Sequence, residues 1–491
     1  MKKINIILAL FLTLVFASCE GFLDVKPSNQ GDSASSIKTA ADANVFMNGI
    51  MRKMSSGSYY GRNFILYGDV KGGDLAITSQ GRGYDGLYTF NHSAESGSWS
   101  GYWSQMYHCL TQVNTLINNV AKIEAEGSEA ERLAEFGAQA LTLRGLIHFD
   151  LVRLYGQPYT QNKEALGVPV VTDLVDASAQ PTRNTVAEVY AQVVKDLTDA
   201  QKSGALAKGT KDGFIGYWAN LAIQARVYQT MGNHTEALKV AKEIIDAKKY
   251  TLYANDEWVD SWAEQFGSES IFEIAIFPDE GDMGTSSLGY LLRRYKDGST
   301  KAMGWFMGSD YFITRLAQDK DDVRHGVMSF DEVSEDHMGA CYKYAGGLSK
   351  GGDGKSSATA VNIKVIRLSE IYLIAAESAL ATGDKDNAAK YLQEIRKRSP
   401  NMAPATSANI TLDMILDEKS KEMFGEGQRY FDMLRLGKKI TFCDEMIQPA
   451  VEIIHRGKTI DTRDFYKCIL PISKGEMDAN TEIAKQQNPG Y

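Results

Sequence analysis

Trp99 and Trp305 each sit among Gly and Ser residues, off any helical stripe, with charged and hydroxyl-bearing neighbours close in sequence. Asp74, Arg82, Tyr84 and Tyr102 share the first stretch, and Tyr290, Arg293, Arg294, Tyr295, Phe306 and Tyr311 the second. A flat aromatic face beside a few directional polar groups is the chemistry of sugar recognition: ring contact supplies affinity and hydrogen bonds supply specificity. The ligand-binding candidates are therefore Asp74, Arg82, Trp99, Tyr290, Arg293 and Trp305, with the two tryptophans expected on one shared exposed surface.

Cys19 carries a different chemistry. Lys2 and Lys3 precede an apolar run, Ile4 to Phe16, that is too short to span a bilayer as a mature helix, and Ala17-Ser18 leads into the cysteine. This is a bacterial lipobox, departing from the usual pattern only in Phe16. Cleavage before Cys19 would leave its thiol and amine to carry lipid, each buried methylene contributing roughly 0.8 kcal/mol of membrane affinity.

Other constellations are weaker. Gly81-Arg82-Gly83-Tyr84-Asp85-Gly86 spells GxGxxG, but a dinucleotide site needs a helix starting inside the motif, and Leu87–Asn91 reads as a strand. Glu269 and Glu273 could in principle form the carboxylate pair of a glycoside hydrolase, yet among 62 acids some pair always has suitable spacing. No Ser-His-Asp order or HExxH pattern stands out among the 7 histidines. Asp279, Asp282 and Asp319–Asp322 lack the spacing of a calcium loop, so no metal site and no cofactor is assigned. Cys109, Cys341, Cys443 and Cys468 fit no zinc pattern; in an exported chain a Cys443–Cys468 bridge and buried free thiols both stay open.

The 491-residue chain is 44% hydrophobic, enough for a substantial core. Its formal charge of −9 becomes more negative once Lys2 and Lys3 leave with the leader, which argues against binding phosphate backbones.

The expected fold is mainly α. Residues 39–56, 102–123 and 131–155 show helical periodicity, the last ended by Gly156 and Pro158. Thr185-Val186-Ala187-Glu188 is a capping box opening a further helix. An internal repeat follows: Ala225…Gly232-Asn233…Ala237…Ile244 recurs at constant offset as Ala376…Gly383-Asp384…Ala388…Ile395. Helix, tight turn and second helix with alanine at the crossing is the tetratricopeptide pattern. Residues 57–101 and 251–360 break the periodicity and read as irregular or short-stranded insertions, where function concentrates.

Taken in order, these motifs resemble the SusD/RagB family of Bacteroidota surface lipoproteins over nearly the whole chain. The resemblance is carried by Cys19–Asp24, Trp103…Tyr107…Asn114, Arg144 with Leu151–Tyr159, Ala225–Tyr228, Arg367…Glu370–Glu377, Ile395–Arg398, Glu422–Met433, Arg435–Lys438, Leu470–Ser473, Asn480 and Gln487–Tyr491. It implies a TPR-containing helical fold without catalysis. It also implies capture of oligosaccharide, or in some members peptide, and a SusC-like TonB-dependent barrel in the outer membrane as partner. The family motifs are expected to be scaffold, Trp103 included, with specificity held in the variable loops. A surface glycoside hydrolase and a purely structural gating subunit are the alternative readings. The expected organisation is a signal peptide at 1–18, a lipid-anchored tether at 19–38, an N-terminal helical region at 39–250 with the 57–101 loop insertion, a ligand-facing insertion at 251–360, and a C-terminal region at 361–491.

Overall fold

The computed structural model describes residues 37–491 apart from 82, 84, 96–98, 100, 177, 211–212, 278–282, 293–303, 331–337 and 345–360. Cys19 and the expected signal and tether therefore lie outside the described residues. The principal helices are α1 (Ala40–Met54), α2 (Asn63–Val70), α3 (Gly101–Val120), α4 (Gly127–Tyr155), α5 (Val186–Lys202), α6 (Tyr217–Met231), α7 (His234–Asp246), α8 (Leu368–Ala381), α9 (Lys385–Arg396), α10 (Leu412–Glu422) and α11 (Arg429–Leu436). Among the described residues, no helix is long and apolar enough to cross a membrane.

The helices form where local signals agree. Thr39 and Asp42 close a capping box at the start of α1, and Thr185 and Glu188 close the expected one at α5. Val186, Val189, Val193 and Leu197 of α5 all face inward. In the repeat, α6 ends on Gly232 in the left-handed region, φ 73°, and Asn233 caps α7 by accepting the amide of Glu236. The second copy repeats this with Gly383 at φ 86° and Asp384 accepting the amide of Asn387. Glycine is required at both turns because a Cβ resists that conformation. Ala237 and Ala388 are fully buried, as the tetratricopeptide spacing predicts.

The two copies are far apart in sequence yet adjacent in space. Consecutive helices from α3 to α7 pack pairwise, and α7 then packs directly on α8, so the array continues across the insertion. Arg226 of α6 makes a bidentate pair with Glu370 of α8 at 2.7 and 2.6 Å, and Gln229 donates to Glu377 at 2.8 Å. The insertion is closed at its root: β2 (Ser270–Ile274) pairs antiparallel with β6 (Ile363–Arg367), just before α8 begins. The remaining strands are short: β1 (Leu75–Ile77) with β3 (Phe306–Gly308), β4 (Met328–Phe330) with β5 (Met338–Cys341), and β7 (Lys439–Thr441) with β8 (Thr459–Asp461). One hydrophobic cluster runs from Ile37 to Ile483.

Three expectations are corrected or resolved here. Residues 57–101 are not wholly irregular, because α2 lies within them. All eight residues of α2 are buried, so no polar face produces a period. Its Gly68 approaches Gly427 so closely that a Cβ would come within 1.9 Å of the Gly427 carbonyl. The Leu87–Asn91 strand is instead a helical turn, Asp85–Tyr88. Cys443 and Cys468 are both buried free thiols.

The motif residues are structural. Asn488 donates to the carbonyls of Tyr155 and Leu470 at 2.8 and 2.7 Å, and Arg183 donates to those of Tyr155, Leu166, Gly167 and Gln486. These bonds clasp the C-terminal segment to the end of α4. Arg144 pairs with Asp196 of α5, and Trp103 packs edge-on to Tyr155 in the core.

Candidate functional site

The β1–β3 ladder brings the two aromatic-rich insertions together. Leu75, Ala76 and Ile77 pair with Gly308, Met307 and Phe306. The Thr78 hydroxyl donates to the Gly304 carbonyl at 3.3 Å, and the Gly304 amide donates to the Tyr290 carbonyl at 3.2 Å. Trp305 is thus fixed between two hydrogen-bonded neighbours, half-buried against the core. Beyond β3, the Ser309 hydroxyl donates to the Gly73 carbonyl and accepts the Phe312 amide, starting the short helix Asp310–Leu316. That helix carries Tyr311, 42% exposed. Gln448 donates its amide to the Thr78 carbonyl at 2.9 Å, joining the segment with exposed Val451 and Ile454 to the same edge.

The other sequence candidates divide. Trp99 does not share an exposed surface with Trp305. It is buried, its indole N–H donates to the Ser93 carbonyl at 3.0 Å, and it meets His92 edge-on with centroids 5.5 Å apart. Its ring presses on Gly86, where a Cβ would come within 2.8 Å, so Trp99 wedges its own loop. Asp74 is also buried. It accepts from Arg315 at 3.0 Å and from the Ser420 hydroxyl at 2.6 Å, with Arg429 at 3.3 Å. Burial works to raise its pKa, but the Arg429 and Arg315 guanidiniums overcome this and hold it below the usual carboxylate range. Asp74 therefore anchors β1 to α10. Tyr290 is buried within Leu288–Leu291, and Tyr102 is buried with its hydroxyl donating to the Asn63 carbonyl at 2.7 Å. Arg82, Tyr84, Arg293, Arg294 and Tyr295 lie outside the described residues.

The glycine motif has a local explanation. The Asp85 carboxylate accepts the amides of Gly81 and Gly83 at 3.0 and 3.1 Å, the groups a phosphate would need. The two acids of the proposed pair are each held by their own partners: Glu269 accepts from Arg367 and Arg398 at 3.0 and 2.8 Å, while Glu273 accepts from Asn362, Ser270 and the Phe266 amide. Asp319 accepts from Asn401 and Asp322 from Arg324 and Ser399, pinning one loop to another; Asp279 and Asp282 lie outside the described residues. Among the described residues, no cluster of three or more His, Cys, Asp or Glu is arranged to hold a metal.

Sequence reasoning missed Val451 and Ile454. Their signal was faint: an apolar Val451-Glu452-Ile453-Ile454 run after Pro449 in a stretch without helical period.

A tetratricopeptide-type helical array whose insertions meet in a short β ladder matches the architecture of SusD superfamily structures. The chain belongs to the SusD family. Residues 326–491 match the model described as SusD family, and residues 21–228 match one described as starch-binding associating with outer membrane. A SusD superfamily protein of Bacteroides thetaiotaomicron VPI-5482 superposes with a TM-score of 0.84 at 32% identity, covering 92% of this chain and 100% of its own. A putative sugar binding protein of Bacteroides vulgatus ATCC 8482 gives 0.83 at 33%, covering 93% and 100%. SusD-like protein P2 of Formosa agariphila is 26% identical over the full length of both chains.

Proposed function

We propose that this chain is a non-catalytic, lipid-anchored receptor at the outer membrane, which captures oligosaccharide on the β1–β3 edge and hands it to a SusC-like TonB-dependent barrel. The observation that carries the reading is the ladder itself, which fixes half-buried Trp305 at one end of β3 while exposed Tyr311 follows its other end, on an edge that joins the two loops. A half-buried indole keeps one part in the core and offers the rest to a sugar face, so little side-chain entropy is lost on binding. The family, and relatives described as starch-binding or sugar binding, support glycan over peptide. Holding ligand at a transporter mouth raises its local concentration without any chemical step. Against hydrolysis stands the engagement of both acids, Glu269 by two guanidiniums and Glu273 by Asn362, Ser270 and the Phe266 amide.

Calorimetric titration of Trp305→Ala against a glycan panel tests the edge. Removing one aromatic platform costs about 1–3 kcal/mol in stacking systems, so affinity should fall roughly tenfold, a change of ~1.4 kcal/mol, while the melting temperature holds. Unchanged affinity with an unchanged melt would place the ligand elsewhere. Cys19→Ala with cell fractionation tests the anchor: the variant should leave the membrane fraction in cells lacking the barrel, and continued retention would refute lipid attachment there.

A further inference from the structure

Lys71 follows the last turn of α2 and is fully buried. Its Nζ has three hydrogen-bond partners: His92 Nε2 at 3.2 Å, the Lys467 carbonyl at 3.3 Å and the Tyr67 hydroxyl oxygen at 3.5 Å. An ammonium carries three N–H donors, so these contacts match the charged form. The rings of Tyr67, Phe90 and Tyr430 close round the same nitrogen. Among the described residues, no carboxylate pairs with it. The Lys467 ammonium, which donates to the Phe90 carbonyl at 3.1 Å, opposes its charge. The other titratable groups around it are neutral. Burial raises the Cys468 thiol and the phenols of Tyr67, Tyr430 and Tyr491. Burial, then Lys71, Lys467 and more remotely His455, keep His92 unprotonated. Burial also pulls the Lys71 pKa down to about 7, so near neutral pH both of its forms are populated.

Losing one proton leaves the amine two N–H donors and a lone pair, so one of the three contacts must reverse or be lost. A carbonyl only accepts, and the Tyr67 proton is already given to the Cys468 carbonyl at 3.3 Å. His92 is the partner that can reverse, because neutral imidazole carries its proton on either nitrogen. Its Nδ1 lies 3.0 Å from the Tyr491 hydroxyl, which also lies 2.8 Å from the Ile469 carbonyl. One phenolic proton thus has two acceptors within reach. Trp99 meets the imidazole edge-on and Tyr491 stacks on it, so the ring is held while its proton moves.

The geometry points to a proton-linked switch, in which the charge of Lys71 sets the tautomer of His92, and His92 decides which acceptor Tyr491 serves. In the charged form Lys71 donates to Nε2, the Nδ1 proton goes to the Tyr491 oxygen, and Tyr491 donates to Ile469. In the neutral form Tyr491 donates to Nδ1, Nε2 donates to the Lys71 lone pair, and the Ile469 carbonyl loses its donor. The change balances with one proton released. The Lys71 proton passes to Nε2, the Nδ1 proton passes to the Tyr491 oxygen, and the Tyr491 proton leaves to solvent from that partly exposed residue. Rising pH therefore loosens the hold of Tyr491 on Ile469, next to the Leu470 carbonyl that Asn488 grips. The switch stands wherever the glycan binds.

Nitrogen NMR of the mature chain labelled with 15N-histidine tests it, because protonated and bare imidazole nitrogens resonate far apart. The His92 signals are those lost in His92→Gln, or, if that variant unfolds, those left when the other histidines are replaced in turn. Between about pH 5.5 and 8.5, spanning the ordinary histidine range, the proton should move from Nδ1 to Nε2 without an imidazolium appearing. In Lys71→Met the pattern should be the same at every pH. Tyr491→Phe removes two bonds from the charged form and one from the neutral form, so the midpoint should fall by up to about one pH unit. This second variant carries the test if Lys71→Met does not fold. A single tautomer throughout, or a His92 imidazolium at the acid end, overturns the proposal. So does a switch that persists in folded Lys71→Met, or a midpoint that Tyr491→Phe leaves in place.

Discussion

Arg367 and Lys71 are both buried cations, and their surroundings could hardly differ more. Arg367 donates to Glu426 at 2.8 Å through both Nε and Nη2, to Glu269 at 3.0 Å and to Glu422 at 3.1 Å. Around it, Arg324, Arg396 and Lys421 share Glu418, and Arg398 pairs with Glu269. Lys71 is enclosed by the rings of Tyr67, Phe90 and Tyr430, with its Nζ 4.6, 4.3 and 4.9 Å from their centroids. Its hydrogen-bond neighbours are neutral: His92 Nε2 at 3.2 Å, the Lys467 carbonyl at 3.3 Å and the Tyr67 hydroxyl at 3.5 Å. Carboxylates keep the first cation charged. Ring faces favour the second ammonium, but burial outweighs them and pulls its pKa down to about 7. The lesson is that burial alone does not set the charge state; the partners do.

Breaking the ionic core should give the largest effect. Burial works to raise the pKa of Glu422, yet Arg367, Arg398 and Arg324 hold it at about 2. Glu422→Gln keeps the shape but leaves these guanidiniums short of one charge. Removing one partner of a buried pair costs ~3–5 kcal/mol, to be read by denaturant unfolding. A loss under about 1 kcal/mol, the scale of exposed pairs, would show the network to be hydrated. Since the folded pKa lies below the unfolded value, Glu422's contribution is full above the ordinary glutamate range and is lost as pH falls toward 2.

The ionic core was legible in sequence as motif, and the cage was not. Arg367, Glu370, Glu422 and Glu426 stand at family positions, and the repeat turns at Gly232 and Gly383 announce themselves because only glycine fits. Lys71 follows the wholly buried α2, whose lack of a polar face hides it, and its cage is closed by Phe90 and Tyr430, distant in the chain. The candidate site was half legible for the same reason. Glycine-rich flanks identified Trp305 as a residue off any helix stripe, but the same flanks surround Trp99, which turned inward. Composition cannot separate the two, because the difference lies in what each ring packs against: Gly86 encloses that of Trp99, while Trp305 stays half-buried at the margin of the core. Likewise Asp74 has the chemistry of a ligand group, but Arg315, Arg429 and Ser420 from later segments had already claimed it.

Lys71→Met sharpens the contrast through pH. The amine titrates at about 7 in the folded chain and near 10.4 when unfolded. Between these values the unfolded chain holds a proton that the folded chain lacks, so stability rises with pH at about 1.4 kcal/mol per unit. The methionine variant loses this rise. Its stability relative to the unsubstituted chain should be greatest near pH 7 and decline steadily toward pH 10. A difference that is flat across that window would mean the cage keeps Lys71 charged.

The smallest expected effect concerns how the cage is tied to the C-terminal segment. His92 Nε2 lies 3.2 Å from Lys71 Nζ and Nδ1 lies 3.0 Å from the Tyr491 hydroxyl; with that hydroxyl committed to a carbonyl, the ring proton belongs on Nδ1 and Nε2 accepts from Lys71. That hydroxyl in turn donates to the Ile469 carbonyl at 2.8 Å. Burial, reinforced by the neighbouring Lys71, holds His92 well below its usual pKa, so the ring stays neutral and the tautomer matters. Tyr491→Phe removes both bonds while keeping the ring that stacks on His92 at 5.9 Å. A net loss of ~0.5–1.5 kcal/mol is expected. In Lys71→Met the imidazole is released from donating at Nδ1 and is free to reverse its tautomer, so the same Tyr491→Phe change should cost less. A double-mutant cycle measures this: groups in one network couple by about 0.5–3 kcal/mol, whereas independent sites add. Strict additivity would mean that the C-terminal tyrosine is held by Ile469 alone, and that the cage and the tail are separate structures that merely touch.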